Sequence, residues 1–204
     1  VELYDTEEQQ VEAIKDWWKE NGKAVIFGAV IGLGGLFGWR YYQDTVTAGQ
    51  EAASETYTQT VQVLAQNGVD AQTDVQSFID TNKDTEYSVL AAMQLAKVQV
   101  EAGKIEDALK QLEGAKAISK DAALSTLISY RIARLQAELG QFDAAITELS
   151  TIKDASWAGR VAELKGDILL RKGDSAGAYA AYTEAQQAND ASQTLQMKLD
   201  DLAK

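Results

Sequence analysis

The sequence predicts an all-α protein, a single apolar helix of membrane-spanning character followed by a solenoid of helical hairpins. Three observations predict it. Residues 24–39, AVIFGAVIGLGGLFGW, carry no charge. Beyond Thr47, apolar residues recur at spacings of three and four, the helical period, and strand-like alternation is scarce. Pro is absent, so no backbone obstacle interrupts long helices.

Composition narrows the function. Without Cys there is no disulfide, thiolate nucleophile or zinc-finger pattern. Without His, the usual neutral-pH general base and the commonest metal ligand are missing. A net charge of −12 repels phosphate backbones, so no nucleic-acid partner is expected.

Residues 1–22 form the expected cytoplasmic tail. Val11, Ile14, Trp17 and Trp18 recur at helical spacing among charges. They predict a short amphipathic helix over Glu8–Glu20 lying at the bilayer interface, with Trp17 and Trp18 at headgroup depth. Asn21-Gly22 is its predicted stop. Plain anchoring and a docking role both fit it.

Residues 23–42 form the expected span. Lys23 and Arg40 can snorkel, while Trp39, Tyr41 and Tyr42 suit an interfacial belt. Those flanks lengthen the segment to roughly 30 Å, matching a hydrocarbon core. Lys15, Lys19 and Lys23 precede the span and only Arg40 closely follows it, which predicts a cytoplasmic N-terminus and an exported C-terminal domain. A cleaved signal peptide is the rival reading. Its small-residue site would be Val46-Thr47-Ala48, well beyond the bulky Trp39–Tyr42 block. The glycines are no nucleotide motif, because Phe37 stands where G-x-G-x-x-G needs its last Gly. Gly28, Gly32 and Gly35 share one face and would let another helix approach closely, from a second copy or a larger membrane partner. Gly is also simply frequent in spans.

Residues 43–86 read as linking helices. A long helix over 47–66 has Ala52, Tyr57, Val61 and Leu64 as its apolar members. A shorter one, marked by Val75, Phe78 and Ile79, precedes the polar turn Asn82-Lys83-Asp84. Together they can be read as a degenerate first repeat. Residues 87–190 hold three windows aligned on Gly103, Gly140 and Gly173, at steps of 37 and 33 residues. Seven residues before each Gly stands Ala96, Ala133 or Gly166; five after it stands Ala108, Ala145 or Ala178. Nine after stands Leu112, Leu149 or Tyr182. This pattern resembles the tetratricopeptide (TPR) repeat, a helix–turn–helix unit of about 34 residues. Small residues sit where paired helices touch most closely, larger apolar ones fill beside them, and Gly closes each first helix. The usual Trp and closing Pro are missing, and Lys165 replaces an apolar residue. The 37-residue step predicts a longer loop around 118–124. Residues 191–204, with Leu195, Leu199 and Leu202, are the predicted capping helix.

No catalytic constellation is present, and neither an enzyme nor a cofactor nor a metal site is expected. Glu106-Asp107 and Asp200-Asp201 read as solvated surface. Function is expected on the face built by the first helices of the repeats. The alignment turns Leu90, Met93, Lys97 and Val100 inward in the first repeat. It turns Leu127, Tyr130, Arg134 and Ala137 inward in the second, and Arg160, Glu163, Asp167 and Leu170 in the third. Several of these could equally fill core between repeats. TPR domains that grip a terminal carboxylate use Lys followed four residues later by Asn; Met93 and Lys97 hold those places, which disfavours that ligand.

The order of parts carries a further resemblance. Val11-Glu12-Ala13-Ile14-Lys15, Asn21-Gly22-Lys23, the Gly-rich span, Gly38-Trp39-Arg40-Tyr41-Tyr42 and the late Trp157 resemble the ancillary SecYEG translocon subunit family across nearly the whole chain. The resemblance implies a single-pass protein of the bacterial inner membrane with a periplasmic TPR domain. It implies partnership with the SecYEG channel, with a membrane-anchored periplasmic chaperone of the prolyl-isomerase type, and with nascent exported polypeptides passed between them. It carries over no catalytic residues. The alternative is a purely structural assembly subunit that binds no client.

Overall fold

The computed structural model describes residues 7–188, 190 and 192–202. The first six residues of the expected tail, and residues 191, 203 and 204 of the expected cap, lie outside them. Two compact units divide the chain between Ala52 and Ala53.

The first unit is helix. α1, Glu7–Asn67, runs unbroken for 61 residues. The expected stop at Asn21-Gly22 does not occur. Asn21 donates its side-chain N–H to the Trp17 carbonyl at 3.0 Å, a bond made within the helix. The Trp18 indole lies over Gly22, where an added Cβ would stand 3.1 Å from it. A lone Gly inside a helix costs only about 1 kcal/mol, which the missing Pro and the apolar run beyond leave affordable. The helix is long and apolar enough to cross a membrane, with a mean hydropathy of 1.5 over its most apolar window. Phe27, Ile31, Leu36 and Phe37 all point outward.

The second unit is built from hairpins. Its elements are the end of α1, α2 (Gln72–Thr81), α3 (Glu86–Glu101), α4 (Ile105–Ile118), α5 (Ala122–Glu138), α6 (Phe142–Leu149), α7 (Ala158–Lys172), α8 (Ser175–Gln186) and α9 (Leu195–Leu202). α3/α4, α5/α6 and α7/α8 pair as antiparallel hairpins. Each turns on one of the aligned glycines, with φ of +74°, +74° and +93° at Gly103, Gly140 and Gly173. The residue after each Gly donates its N–H back five positions, Lys104 to Gln99, Gln141 to Gln136 and Asp174 to Leu169, at 2.8, 2.8 and 2.9 Å. This left-handed helix closure satisfies carbonyls the helix leaves open, and it needs a residue without a Cβ.

The small residues sit as the alignment requires: Ala96, Ala108, Ala133, Ala145, Gly166 and Ala178 are buried. The third repeat trades volume across its pair. Gly166 replaces Ala, and the space receives the Tyr182 ring, which a Cβ on residue 166 would meet at 2.4 Å. The core runs through Leu95, Ile128, Ile132, Leu149, Ile168 and Tyr182.

The 37-residue step does not come from a loop around 118–124. Only residues 119–121 separate α4 from α5, with Asp121 capping α5 through the Leu124 N–H. The extra length is helical: α4 runs 14 residues, through Gly114, and α5 runs 17. α6 spans only eight residues. The Ser150 and Thr151 hydroxyls donate to the Thr147 and Glu148 carbonyls, and the long connection follows there.

The flanks close the ends. Val75, Phe78 and Ile79 bury α2 against α3. Tyr57 of α1 lies 6.3 Å from the Phe78 ring and 5.5 Å from Tyr87. Leu64 is buried as expected, Ala53 rather than the expected Ala52 is buried, and Val61 is half-buried. At the far end α9 packs Leu195 and Leu199 onto Ala162, Ala178, Tyr182 and Ala185.

Candidate functional site: a groove over the first two hairpins

α3, α4 and α5 enclose a groove of about 360 Å³. Its floor is apolar, formed by Met93, Ala96, Leu112 and Leu135, all buried or nearly so. Val100, 37% exposed, stands at its edge. Lys97, Glu101, Arg131, Arg134 and Glu138 ring it with charge.

The carboxylates of that ring are engaged. Glu101 pairs with Lys97 at 3.7 Å, one helical turn away. Glu138 is held by Arg171 of α7 through two guanidinium nitrogens, at 2.8 and 3.4 Å. The same Arg171 lies 5.9 Å from the Phe142 ring centre. Arg131 and Arg134 have no ion-pair partner among the described residues. In a chain of net charge −12, this groove presents two uncommitted cations over an apolar floor.

The expected inner-face residues separate into three groups. Met93, Lys97, Val100 and Arg134 come together at the groove. Leu127 is half-buried and packs on the core of the first hairpins, and Leu90 is half-buried without lining the groove. Tyr130 turns toward Trp157, with ring centres 5.4 Å apart. Burial raises its hydroxyl pKa, Arg134 opposes the rise, and Glu163 and Asp167 add to it.

The third repeat is occupied by its own chain. Asp190 accepts the Gly159 and Arg160 N–H groups at 2.7 and 3.2 Å. The Arg160 guanidinium sits 5.1 Å from the Trp157 ring centre. Lys198 of α9 reaches Glu163 at 2.9 Å and Asp167 at 2.7 Å. Ser192 donates to Glu163, and the Tyr182 hydroxyl donates to Asp167. Burial pulls the Lys198 ammonium pKa down, but the two carboxylates outweigh it and hold it above its ordinary value. Burial also pushes the Tyr182 hydroxyl well up, reinforced by its bond to Asp167. Only Leu170, 41% exposed, remains open on that helix among the expected residues other than Arg160.

Sequence reasoning did not name Arg131, Leu135 or Glu138. These lie with Arg134 at spacings of three and four along α5, a stripe rotated by about one residue from the expected 127–130–134–137 face. The spacing is visible in the sequence; what selects between the two stripes is the packing of α4 and α6 against α5.

In the first unit, Gly28, Gly32 and Gly35 have open space where a Cβ would stand. Trp17, Trp18, Trp39, Tyr41 and Tyr42 are exposed, as are Lys23 and Arg40. The Trp39 and Tyr42 rings lie 6.3 Å apart on one side of the helix.

Comparison with known proteins agrees with this architecture. A family described as a tetratricopeptide repeat-like domain matches residues 15–204. The chain is 38% identical over 207 residues to the ancillary SecYEG translocon subunit of Escherichia coli K12, with all of both chains covered. It is 35% identical over 198 residues to the protein of the same name from Haemophilus influenzae, covering 96% of this chain and 97% of that one. Among solved structures, pilF of Pseudomonas aeruginosa shares the helical-repeat fold, with a TM-score of 0.58 at 18% identity, over 76% of this chain and 69% of that one. With an outward-facing apolar helix, three Gly-closed hairpins and relatives matched end to end, the chain belongs to the ancillary SecYEG translocon subunit family and carries its tetratricopeptide repeat-like domain.

Proposed function

We propose that this protein is a membrane-tethered interaction scaffold at the SecYEG channel. α1 crosses the bacterial inner membrane with its N-terminus in the cytoplasm, and the repeats stand in the periplasm. There the groove receives segments of exported polypeptides and links them to a membrane-anchored periplasmic chaperone of the prolyl-isomerase type. The reading assigns no catalytic step. The observation that carries it is the pairing, in one chain, of an uncharged helical run, residues 24–39, that is exposed throughout, with a preformed, partly uncommitted groove. The names of the relatives support the choice of channel. The mechanism is effective concentration: a tether keeps the groove near emerging chains, so modest affinity suffices.

Three basic residues before the span against one close behind it support the orientation. Trp17, Trp18, Trp39, Tyr41 and Tyr42 then sit at the two interfaces, with Lys23 and Arg40 reaching to headgroups. Gly28, Gly32 and Gly35 admit a second membrane helix closely. Leu substitutions at Gly28 and Gly32 should deplete co-purified membrane partners.

Photoreactive residues at Lys97 and Val100, both exposed at the groove, test the central claim in cells. Adducts with many exported chains are expected. Adducts with one resident membrane protein only would overturn client handling in favour of an assembly subunit. Protease added to spheroplasts should digest the repeats; their protection would overturn the topology.

A further inference from the structure

We propose that the groove takes an internal acidic stretch of polypeptide, with one apolar side chain seated over Met93 and Leu135 and flanking carboxylates paired with Arg131 and Arg134. The proposal rests on the reading of the groove as a polypeptide-binding face and adds the chemical class of its ligand.

The argument is one of charge complementarity. Each carboxylate of the ring already has a cation. Glu138 is drawn off by the Arg171 fork from α7, and Glu101 is one turn from Lys97. That leaves Arg131 and Arg134, three apart on α5 and therefore neighbours on one helical face. A guanidinium offers a planar fork of donors that fits a carboxylate in two parallel bonds. Two such forks beside an apolar floor recognise an apolar residue with acidic neighbours better than a uniformly apolar or basic segment.

The chain as a whole repels such a ligand, since its net charge is −12. The groove is thus a local inversion of the field, and binding there will depend on salt. Lys97 and Met93 occupy places where terminal-carboxylate readers hold Asn and Lys, so the ligand carboxylates are those of side chains within a segment.

The test uses the full chain in detergent micelles and dye-labelled, C-terminally amidated peptides, read by fluorescence anisotropy. One peptide carries a central Leu flanked by Glu residues; its analogues carry Gln or Lys instead. The Glu peptide should bind at least about fivefold more tightly than the Gln peptide at low salt, and the Lys peptide more weakly than either. That advantage should shrink as salt rises from roughly 50 to 200 mM. The double variant Arg131→Gln/Arg134→Gln should erase it to within about twofold, while its thermal midpoint stays unchanged because both side chains reach solvent. Equal binding of all three peptides, loss of no preference in the double variant, or no binding of the Glu peptide overturns the proposal. Val100→Trp fills the groove edge and should weaken every peptide. If it does so while the charge variants have no effect, the acidic preference falls and the groove reading stands. If Val100→Trp also changes nothing, the groove reading falls with it.

Discussion

Replacing Gly166 by Ala should destabilise the third hairpin even though Ala is the better helix former. An added Cβ would lie 2.4 and 2.5 Å from two carbons of the Tyr182 ring. Ordinary contact needs about 3.5–4 Å, so the ring must retreat by more than 1 Å. It has little room, being 1% exposed with its hydroxyl 2.7 Å from Asp167. Overpacking of this kind costs about 1–3 kcal/mol, and the tight geometry places it near 3. The helical gain from Gly to Ala returns about 1 kcal/mol. The net loss is therefore about 2 kcal/mol, or roughly thirtyfold faster amide exchange over α7 and α8. The assay is hydrogen exchange by mass spectrometry on the detergent-solubilised full chain. Tyr182→Leu alone leaves a void over Gly166 and should cost about 2–4 kcal/mol. Combined, the two changes recreate the Ala–Leu pairing of Ala96 with Leu112 and Ala133 with Leu149, and the double variant should be more stable than either single one. A Gly166→Ala protein as stable as the parent, or a cost that adds fully to that of Tyr182→Leu, would refute the volume-exchange argument.

Three further outcomes are expected. Gly140→Ala forces a Cβ into a φ of +74° and should cost about 1–2 kcal/mol, lowering the thermal midpoint of the repeats. Lys198→Met leaves Glu163 and Asp167 facing each other without their cation, and should speed exchange across α9 by about tenfold or more. The pH dependence has a definite sign. Tyr182 and Lys198 both hold their protons more tightly folded than at their ordinary values of 10.0 and 10.5. Their contribution is full below pH 10.0 and is lost as pH rises above it, because the unfolded chain releases those protons first. Circular dichroism melts between neutral pH and pH 11 should show the last hairpin and α9 loosening first; a midpoint unchanged with pH would contradict this.

The hairpins were legible in the sequence because their markers are matters of backbone chemistry. Gly103, Gly140 and Gly173 stand where a left-handed residue is required, and the alanines stand where two helices leave space for a methyl group. Local signals failed where context overrides them. Asn21-Gly22 has the composition of a helix stop, but Trp18 folds over Gly22 and the helix passes through. The length placed in a loop near residue 120 belongs to α4, and the irregular connection falls after α6 instead. On the groove, the α3 face was readable from Met93, Lys97 and Val100, whereas the α5 face was read one position out of turn and Arg131 was missed. The closure of the third repeat had no local signature. Asp190 to Gly159 and Lys198 to Asp167 join residues about 30 positions apart.

That closure gives the molecule a blind end. With Lys198 and Asp190 occupying the third repeat, the open groove is confined to α3, α4 and α5 and has room for only the few side chains that two hairpins accommodate. Footprints of that small size are typical of weak, transient encounters with fast release. Under the function proposed above, brief holding suits cargo that must travel onward.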